Sequence, residues 1–218
     1  MRAVISFERR EGGRFPVVQT PGSAAARQRC HERDDHYRFR QALRMRIIAG
    51  SRKGHTIYAP KRLGTRPTGD RVREAAFNLI GPVDEASVLD LFAGSGAMGL
   101  EALSRGAARA VFVESDRDAC RAIERNLDKL RLTGAEVVCD EARRFLATER
   151  RRFDLVLVDP PYEALAELQP TLARYLPNVL TDSGLLVVES AAREEPELPL
   201  RTRTSRRYGS ARITLFEP

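Results

Sequence analysis

The chain has 218 residues, of which 42% are hydrophobic, and it carries a formal net charge of +7. This length accommodates one well-buried α/β domain and a small appendage. No apolar run approaches the roughly 18 residues of a membrane helix, and the first residues lack the apolar core of a secretory signal. The cysteines Cys30, Cys120 and Cys139 show no metal-ligand spacing and are typical of reduced thiols in a cytoplasmic protein.

The positive charge is concentrated in the first third of the chain. Residues 1–44 have a net charge of +5 and residues 45–78 of +6, whereas residues 79–218 have a net charge of −4. This asymmetry favours a polyanionic partner for the N-terminal part. A compositional bias is the alternative, because only three of the 37 basic residues are lysine.

Residues 1–44 show no helical or strand periodicity that persists for more than a few residues. We predict a disordered or non-native extension, because Met45 begins a new pattern and could be the true start residue. A basic RNA-binding arm is the alternative interpretation of this segment.

A β-hairpin is predicted at the start of the second segment, residues 45–80. Short β runs at 46–49 and 55–58 flank a glycine-bounded loop, which places Arg52 and Lys53 at its tip. These side chains either contact nucleic-acid phosphates or form an ordinary solvated turn.

An amphipathic helix follows the turn at residues 65–70, with Thr68 or Asp70 as its N-cap. One face of this helix is apolar, and its members are Val72, Ala75, Ala76, Leu79 and Ile80. Arg66 and Arg71 either point towards a ligand pocket or belong to the surface of an ordinary packed helix.

A glycine-rich turn follows the apolar run 88–91. The spacing Gly94-x-Gly96-x-x-Gly99 joins this predicted strand to a helical pattern, and the first helical turn offers free N–H groups to a ligand. Strand, turn and helix together predict a cradle for a nucleotide-like ligand. The glycine spacing alone fits a dinucleotide fingerprint equally well.

The remaining chain alternates between strand and helix. Strands are predicted at 110–114, 136–139, 153–158 and 184–189, and helices at 117–130, 141–148 and 165–175. This order predicts an α/β fold with a doubly wound, mostly parallel sheet and helices on both faces. Arginine-rich residues 201–207, a turn at 208–210 and residues 211–216 predict a C-terminal antiparallel hairpin on the sheet edge.

Acidic residues lie at the carboxyl ends of the predicted parallel strands and should meet at one rim of the sheet, where such folds bind ligands. They are Asp90, Glu114, Asp140 or Glu141, and Asp159. Glu114 suits the two hydroxyls of an adenosine ribose, although a surface carboxylate ahead of an Asp116 N-cap is the alternative. Asp140 or Glu141 could accept from the adenine amino group.

The sequence Asp159-Pro160-Pro161-Tyr162 follows an apolar strand. Because prolines lack an N–H and stiffen the turn, we expect that neither proline carbonyl enters a helix start. Asp159 and the Pro160 carbonyl should then be rigid acceptors beside a tyrosine ring. This set suits an exocyclic base amine, whose hydrogens bind the acceptors while the ring stacks on the base. Holding both hydrogens favours attack of the nitrogen on a methyl sulfonium. Whether Asp159 takes the proton stays open, and a simple loop terminator is the alternative.

The chain resembles the class I S-adenosylmethionine-dependent amino-methyltransferases, and more specifically the RsmD-type enzymes that methylate guanine N2 in bacterial 16S rRNA. The resemblance covers about residues 45–218. The stretches that carry it are Met45-Arg46-Ile47-Ile48-Ala49-Gly50, 65–78 with its Arg-Pro-Thr…Arg-Glu…Phe-Asn pattern, 90–106, 159–162 and Tyr208-Gly209. The block at 65–78 is far more specific than the glycine turn.

The resemblance implies a Rossmann-like methyltransferase sheet, residues 81–218, with a small N-terminal β-hairpin extension. Its implied cofactor, S-adenosylmethionine, would be held by Asp90, Phe92, Ala93, Gly94, Ser95, Gly96, Glu114, Ser115, Asp140, Glu141, Ala142 and Asp159. The implied catalytic residues, which hold the target guanine, are Asp159, Pro160 and Tyr162. The implied RNA contacts are Arg46, Arg52, Lys53, Arg66, Thr68, Arg71 and Tyr208.

No metal is expected, and the implied partner is 16S rRNA within the small ribosomal subunit or an assembly intermediate. We expect a monomer. Residues 1–44 have no counterpart in the family pattern, and the acidic pair Asp140-Glu141 stands where one polar residue is usual. Three other functions fit parts of the pattern: methylation of adenine N6 in DNA or RNA, dinucleotide-dependent oxidation, and non-catalytic RNA binding during ribosome assembly.

Overall fold

A computed structural model describes residues 45–59 and 69–218, apart from the side chain of Tyr162. The predictions for residues 1–44, Arg66 and Thr68 lie outside these residues. Within them, no helix is long and apolar enough to cross a membrane.

Five α-helices and seven strands make up the described part of the chain. The helices are α1 (Asp70–Ile80), α2 (Ala97–Ser104), α3 (Arg117–Leu130), α4 (Ala142–Thr148) and α5 (Leu165–Val179), and short 3-10 turns lie at Gly50–Arg52 and Tyr162–Ala164. The strands are β1 (Ser87–Leu91), β2 (Arg109–Val113), β3 (Ala135–Val138), β4 (Phe153–Val158), β5 (Leu180–Ala191), β6 (Arg201–Tyr208) and β7 (Ala211–Glu217).

The strands form one sheet in the order β3-β2-β1-β4-β5-β7-β6. Strands β1 to β5 are parallel, whereas β7 is antiparallel to both β5 and β6. The predicted doubly wound sheet with a C-terminal hairpin is confirmed. The strand order reverses between β1 and β4, so the carboxyl ends of these two strands flank the crevice in which open α/β sheets bind ligands.

Each face of the sheet is covered by one apolar cluster. The first cluster joins the N-terminal segment, α1, α2 and α3 to the sheet, and it includes Ile47, Phe77, Leu100, Phe112 and Ile123. The second joins α4 and α5 to the opposite face and includes Leu89, Phe145, Val156, Leu172 and Leu186. The predicted N-terminal hairpin and helix therefore share a core with the sheet.

Some predicted elements differ in detail from the structure. The two β runs of the N-terminal hairpin form a single bridge, between Arg46 and Thr56, with the 3-10 turn in the loop between them. Helix α1 has Gly69 as its N-cap, so the prediction of Thr68 or Asp70 was wrong by one residue. Helix α5 continues through Pro170 and Pro177 to Val179, because Leu172, Leu176 and Val179 are buried against the sheet and outweigh the two missing N–H groups.

Candidate active site

The glycine turn lies at the carboxyl end of β1, beside the reversal in strand order. The N–H groups of Phe92 and Ala93 both donate to the carbonyl of Val113, at 3.1 and 3.0 Å, which anchors the turn to β2. Phe92 has a φ of +69°, a conformation that costs energy for a bulky residue and is found mostly at functional sites. Gly96 is the left-handed N-cap of α2.

The third glycine of the motif lets α2 lie directly on the sheet. A Cβ atom at Gly99 would come within 2.4 Å of the Phe112 ring. The N–H of Gly99 donates to Oδ2 of Asp90 over 2.8 Å, so the first turn of α2 binds a carboxylate in the strand beneath it. This glycine is therefore required for close packing of helix on strand.

Asp90 is a buried carboxyl group with only 2% of its surface exposed. Burial raises its pKa to about 7, the Gly99 N–H opposes the rise, and the charges of Asp159 and Glu114 add to it. Near neutral pH this group is therefore poised between its neutral and charged forms. A cation bound beside it would favour the charged form.

Glu114 directly follows β2 and is bonded to the glycine turn. Its Oε2 accepts from the Gly94 N–H over 2.8 Å, while its Oε1 accepts from the Asp116 N–H over 2.8 Å and the Ser115 hydroxyl over 3.4 Å. Asp116 in turn caps α3 by accepting from the N–H groups of Asp118 and Ala119. Glu114 therefore lies at the rim predicted for it, and its contact with ribose stays a prediction.

The two acidic residues after β3 differ in their surroundings. Asp140 is half-buried, and its Oδ1 accepts from the Glu141 N–H over 2.8 Å and lies 3.4 Å from a guanidinium nitrogen of Arg144. Glu141 is exposed and is the N-cap of α4 without a side-chain cap bond, while Ala142 is buried. Asp140 thus has local donors, and the choice between the two as adenine contact stays open.

The Asp-Pro-Pro segment begins at the carboxyl end of β4, across the strand reversal from the glycine turn. Asp159 is half-buried, Pro160 is buried and Pro161 is exposed. The Pro161 carbonyl accepts from the Ala164 N–H over 2.8 Å. The expectation that neither proline carbonyl enters a helix start was therefore wrong for Pro161, because the 3-10 turn begins one residue later.

The sequence did not single out Glu189 as a site residue. It is 8% exposed, and it lines one small cavity together with Asp159 and Met98. The pairing of Val158 with Val188 sets Glu189 beside Asp159 at the same sheet edge. Its position near the end of a parallel strand could have identified Glu189, because the same position identified the other acidic residues of the site.

The family model described as Conserved hypothetical protein 95 matches residues 45–217. The chain belongs to this family. Ribosomal RNA small subunit methyltransferase D of Escherichia coli strain K12 is 43% identical over 155 residues, which cover 71% of this chain and 75% of that protein. The protein of the same name from Haemophilus influenzae is 36% identical over 163 residues, covering 72% and 82%.

A solved structure agrees with the family assignment. A hypothetical protein of Thermus thermophilus is 34% identical, with a TM-score of 0.70 over 80% of this chain and 99% of that one. The resemblance to the RsmD-type enzymes, and the methyltransferase fold that it implied, are confirmed.

The family match begins at Met45 and so includes the N-terminal hairpin, which is bound to α2 by two buried polar residues. The carboxylate of Glu101 accepts from the N–H groups of Ile48 and Ala49, at 2.7 and 2.9 Å. The Ser104 hydroxyl donates to the Ala49 carbonyl over 2.7 Å and accepts from the Arg52 N–H over 2.9 Å. Sequence reasoning missed both residues, because their partners lie more than 50 positions away.

Arg73 connects α1 to the same buried site. Its side chain is fully buried, and its Nη2 donates to the Arg46 carbonyl over 2.5 Å and to Oδ1 of Asp70 over 2.9 Å. Its Nε lies 3.9 Å from Oε2 of Glu101, which is also fully buried. Burial lowers the pKa of Arg73, and the two carboxylates oppose that change. The amphipathic pattern placed only apolar residues on the buried face, so this arginine was not predicted there.

The predicted RNA contacts are not equivalent in the structure. Lys53 and Arg71 are exposed, and Arg46 is 63% exposed while its Nε donates to Asp70. Arg52 instead donates to the carbonyls of Leu130 and Arg131, at 2.5 and 3.3 Å. It therefore caps the C-terminal end of α3, and its contact with RNA phosphates stays a prediction.

Tyr208, another predicted RNA contact, ends the edge strand β6. Its side chain is half-buried and packs against the first apolar cluster. Packing thus occupies part of its ring, and a contact with RNA stays a prediction.

Proposed function

We propose that this protein transfers a methyl group from S-adenosylmethionine to the exocyclic N2 of a guanine in small-subunit rRNA. The observation that carries the proposal is the Asp-Pro-Pro segment at the end of β4, across the strand reversal from the glycine turn of β1. Relatives with this family's sequence are named ribosomal RNA small subunit methyltransferase D. An oxidoreductase would leave the Asp-Pro-Pro segment without a role.

The residues around the glycine turn fit the chemistry of the cofactor. A Cβ at Gly94 would meet nothing within 4 Å, so the turn faces open space that a ligand can fill. Asp90 provides a buried anion for the cationic methionine end, and Glu114 provides carboxylate oxygens for the ribose hydroxyls. When bound, the cofactor supplies an electrophilic methyl group on a sulfonium.

At the other side of the crevice, Asp159 and the Pro160 carbonyl would accept the two hydrogens of the guanine amine. The amine lone pair is delocalised into the base, so holding both hydrogens turns the nitrogen towards a tetrahedral geometry. Binding also fixes the direction of attack. Tyr162 would stack on the face of the base.

The RNA would approach the hairpin and α1 side of the crevice. Residues 45–78 have a net charge of +6, and Lys53, Arg71 and Arg46 expose their cationic groups there. Arginine and lysine at such a surface bind phosphates and make affinity depend on salt. The proposed partner is rRNA within the small subunit or an assembly intermediate.

The test uses labelled S-adenosylmethionine and small ribosomal subunits from a strain that lacks this gene, followed by nucleoside analysis. We expect label in N2-methylguanosine. The Asp159→Ala variant should lose turnover by at least about 100-fold, a much larger factor than its loss of affinity for S-adenosylhomocysteine. Asp182→Ala, which removes a carboxylate that is 98% exposed, is the matched control and should retain activity.

Each other result would change the proposal in a defined way. Label in an adenosine would replace guanine by adenine as the target base. Absence of label on both subunits and free rRNA, with intact binding of RNA, would contradict the enzymatic role. An equal loss of cofactor affinity in the Asp159→Ala variant would mean that its role with the base is wrong.

A further inference from the structure

Two cysteines are in direct contact beside the predicted adenosine site. Cys120 lies in the first turn of α3, and Cys139 directly follows β3. The Sγ of Cys120 lies 2.6 Å from the Sγ of Cys139 and 3.3 Å from the Glu114 carbonyl oxygen, and its one hydrogen can be donated to either of them. Both are free thiols. The two sulfur atoms thus meet across two different elements, between Glu114 and the acidic pair that follows Cys139.

We propose that Cys120 and Cys139 form a reversible intramolecular disulfide when a peroxide oxidises Cys139. Cysteines become bonded without a backbone rearrangement only when folding already brings them together, and this pair is in contact in the thiol form. The proposal gives the chain a redox modification site in addition to its proposed methyl-transfer site.

The two sulfurs differ in exposure, and this difference determines which cysteine is oxidised first. Cys139 is exposed, whereas Cys120 is 4% exposed. Burial and the hydrogen bond to Cys139 raise the pKa of the Cys120 thiol, so Cys120 retains its proton. Cys139 is therefore the sulfur that meets an oxidant from solution, and Cys120 is the resolving thiol.

The chemistry balances with hydrogen peroxide as the oxidant. The Cys139 sulfur attacks one peroxide oxygen, the O–O bond breaks, and a sulfenic acid and one water form. The Cys120 sulfur then attacks the sulfenic sulfur, the S–O bond breaks, and the leaving hydroxide takes the Cys120 proton as a second water. Two thiols lose two electrons and two hydrogens in total, and the peroxide gains them.

The disulfide would alter the predicted adenosine site, an effect that rests on the proposed function. Oxidation removes the S–H that can donate to the Glu114 carbonyl, and it draws the start of the Asp140-Glu141 segment towards α3. Loss of one hydrogen bond and a small displacement should weaken binding of S-adenosylhomocysteine by about three- to tenfold.

The experiment uses the full chain with Cys30→Ser, so that the two cysteines of interest are the only thiols. After treatment with hydrogen peroxide, alkylation and mass spectrometry should show that both thiols disappear together, with a loss of two hydrogens that dithiothreitol reverses. A trypsin digest should contain Asp118–Arg121 joined to Leu132–Arg143. In matched Cys120→Ser and Cys139→Ser variants this product should be absent, and Cys120→Ser should accumulate a dimedone-reactive sulfenic acid.

Three results would overturn the proposal. They are two alkylatable thiols after oxidation, a sulfinic acid at Cys139 with Cys120 still a thiol, or a disulfide between two chains. Calorimetry with S-adenosylhomocysteine then compares the oxidised and reduced proteins. If neither form binds it, the cofactor assignment fails while the disulfide stands; if both bind equally, only the proposed effect on the site is contradicted.

Discussion

The side chain of Asn126 donates a hydrogen bond to the carbonyl of Ser95 over 3.2 Å, which links α3 to the glycine turn. The same amide group donates to the Tyr58 carbonyl over 3.0 Å and accepts from the Tyr58 N–H over 2.7 Å. Asn126 is fully buried, and its bond to Ser95 is buried with it, whereas the two bonds to Tyr58 are partly buried. One side chain therefore holds the second run of the N-terminal hairpin and the predicted cofactor turn together.

Replacing Asn126 by Asp should lower the free energy of unfolding by about 3 kcal/mol, measured by urea denaturation at neutral pH. The carboxylate keeps the shape of the amide but faces two carbonyl oxygens without a hydrogen to donate. Asn178→Asp is the control, because Asn178 is exposed and should change the stability by less than about 0.5 kcal/mol. Equal effects of the two substitutions would show that the buried bonds contribute little.

Two glycines of the hairpin loop provide a matched pair. Gly50 and Gly54 have φ values of +79° and +83°, so alanine strains the backbone at both. A Cβ at Gly50 would lie 1.8 Å from the Ser104 carbonyl oxygen, whereas one at Gly54 would meet nothing within 4 Å. We expect Gly54→Ala to cost about 1 kcal/mol and Gly50→Ala about 3 kcal/mol or more in urea unfolding. Similar costs would contradict close docking of the loop on α2.

Asp90 should make the stability of the cofactor-free protein depend on pH. Its pKa is raised from 3.8 to about 7, so the folded state retains a proton that the unfolded state has released between these values. Stability should therefore fall as pH rises from about 4 to about 7. Asp90→Asn keeps an acceptor for the Gly99 N–H and lacks this dependence. The free energy of unfolding of the variant should equal that of the natural protein near pH 4. Above pH 7 it should be higher by at most about 4 kcal/mol.

The measurement for Asp90 is urea unfolding at a series of pH values, with and without the substitution. A constant difference between the two proteins across the series would mean that Asp90 ionises in the folded state at an ordinary pH. In that case the burial of Asp90 would not control its charge.

Arg52 and Lys53 are adjacent, but their substitutions should have different consequences. Arg52→Ala removes donors to the carbonyls at the end of α3 and should cost about 1–2 kcal/mol of stability. Lys53→Ala should leave stability within about 0.5 kcal/mol and weaken binding of rRNA. For Lys53→Ala, the slope of log affinity for rRNA against log salt concentration should also become shallower by about one. The two effects are separated by urea unfolding and by filter binding at several salt concentrations, and a stability loss confined to Lys53→Ala would refute the assignment.

The sequence was sufficient for elements whose signals are local. Helix α3 has the predicted bounds, because Asp116 caps it and its apolar residues recur at helical spacing. Strand β4 also has the predicted bounds, since the apolar run Leu155–Val158 stops directly before Asp159. The glycine turn and the acids after the strands could be located for the same reason, and parallel pairing then brings them to one edge.

The buried polar contacts could not be predicted from local patterns. Glu101 and Asn126 lie on helices where a polar residue usually faces water, and their backbone partners are 31 to 68 positions away. The local pattern makes Arg52 a surface cation for a related reason, because its acceptors belong to a helix end 78 positions further along. Such contacts depend on how the hairpin packs on the sheet, and no periodicity in the sequence records that.

The two edge strands of the sheet disfavour aggregation at high protein concentration. Strand β3 offers only four residues to a further strand, and β6 exposes Arg201, Arg203, Arg206 and Arg207 and is irregular between Thr202 and Thr204. A second chain that paired with β6 in the same way would bring arginine against arginine, and one that paired with β3 would gain few hydrogen bonds. Both edge strands therefore disfavour the strand addition that starts aggregation. The open sheet does not readily pair with the sheet of a second copy of the chain.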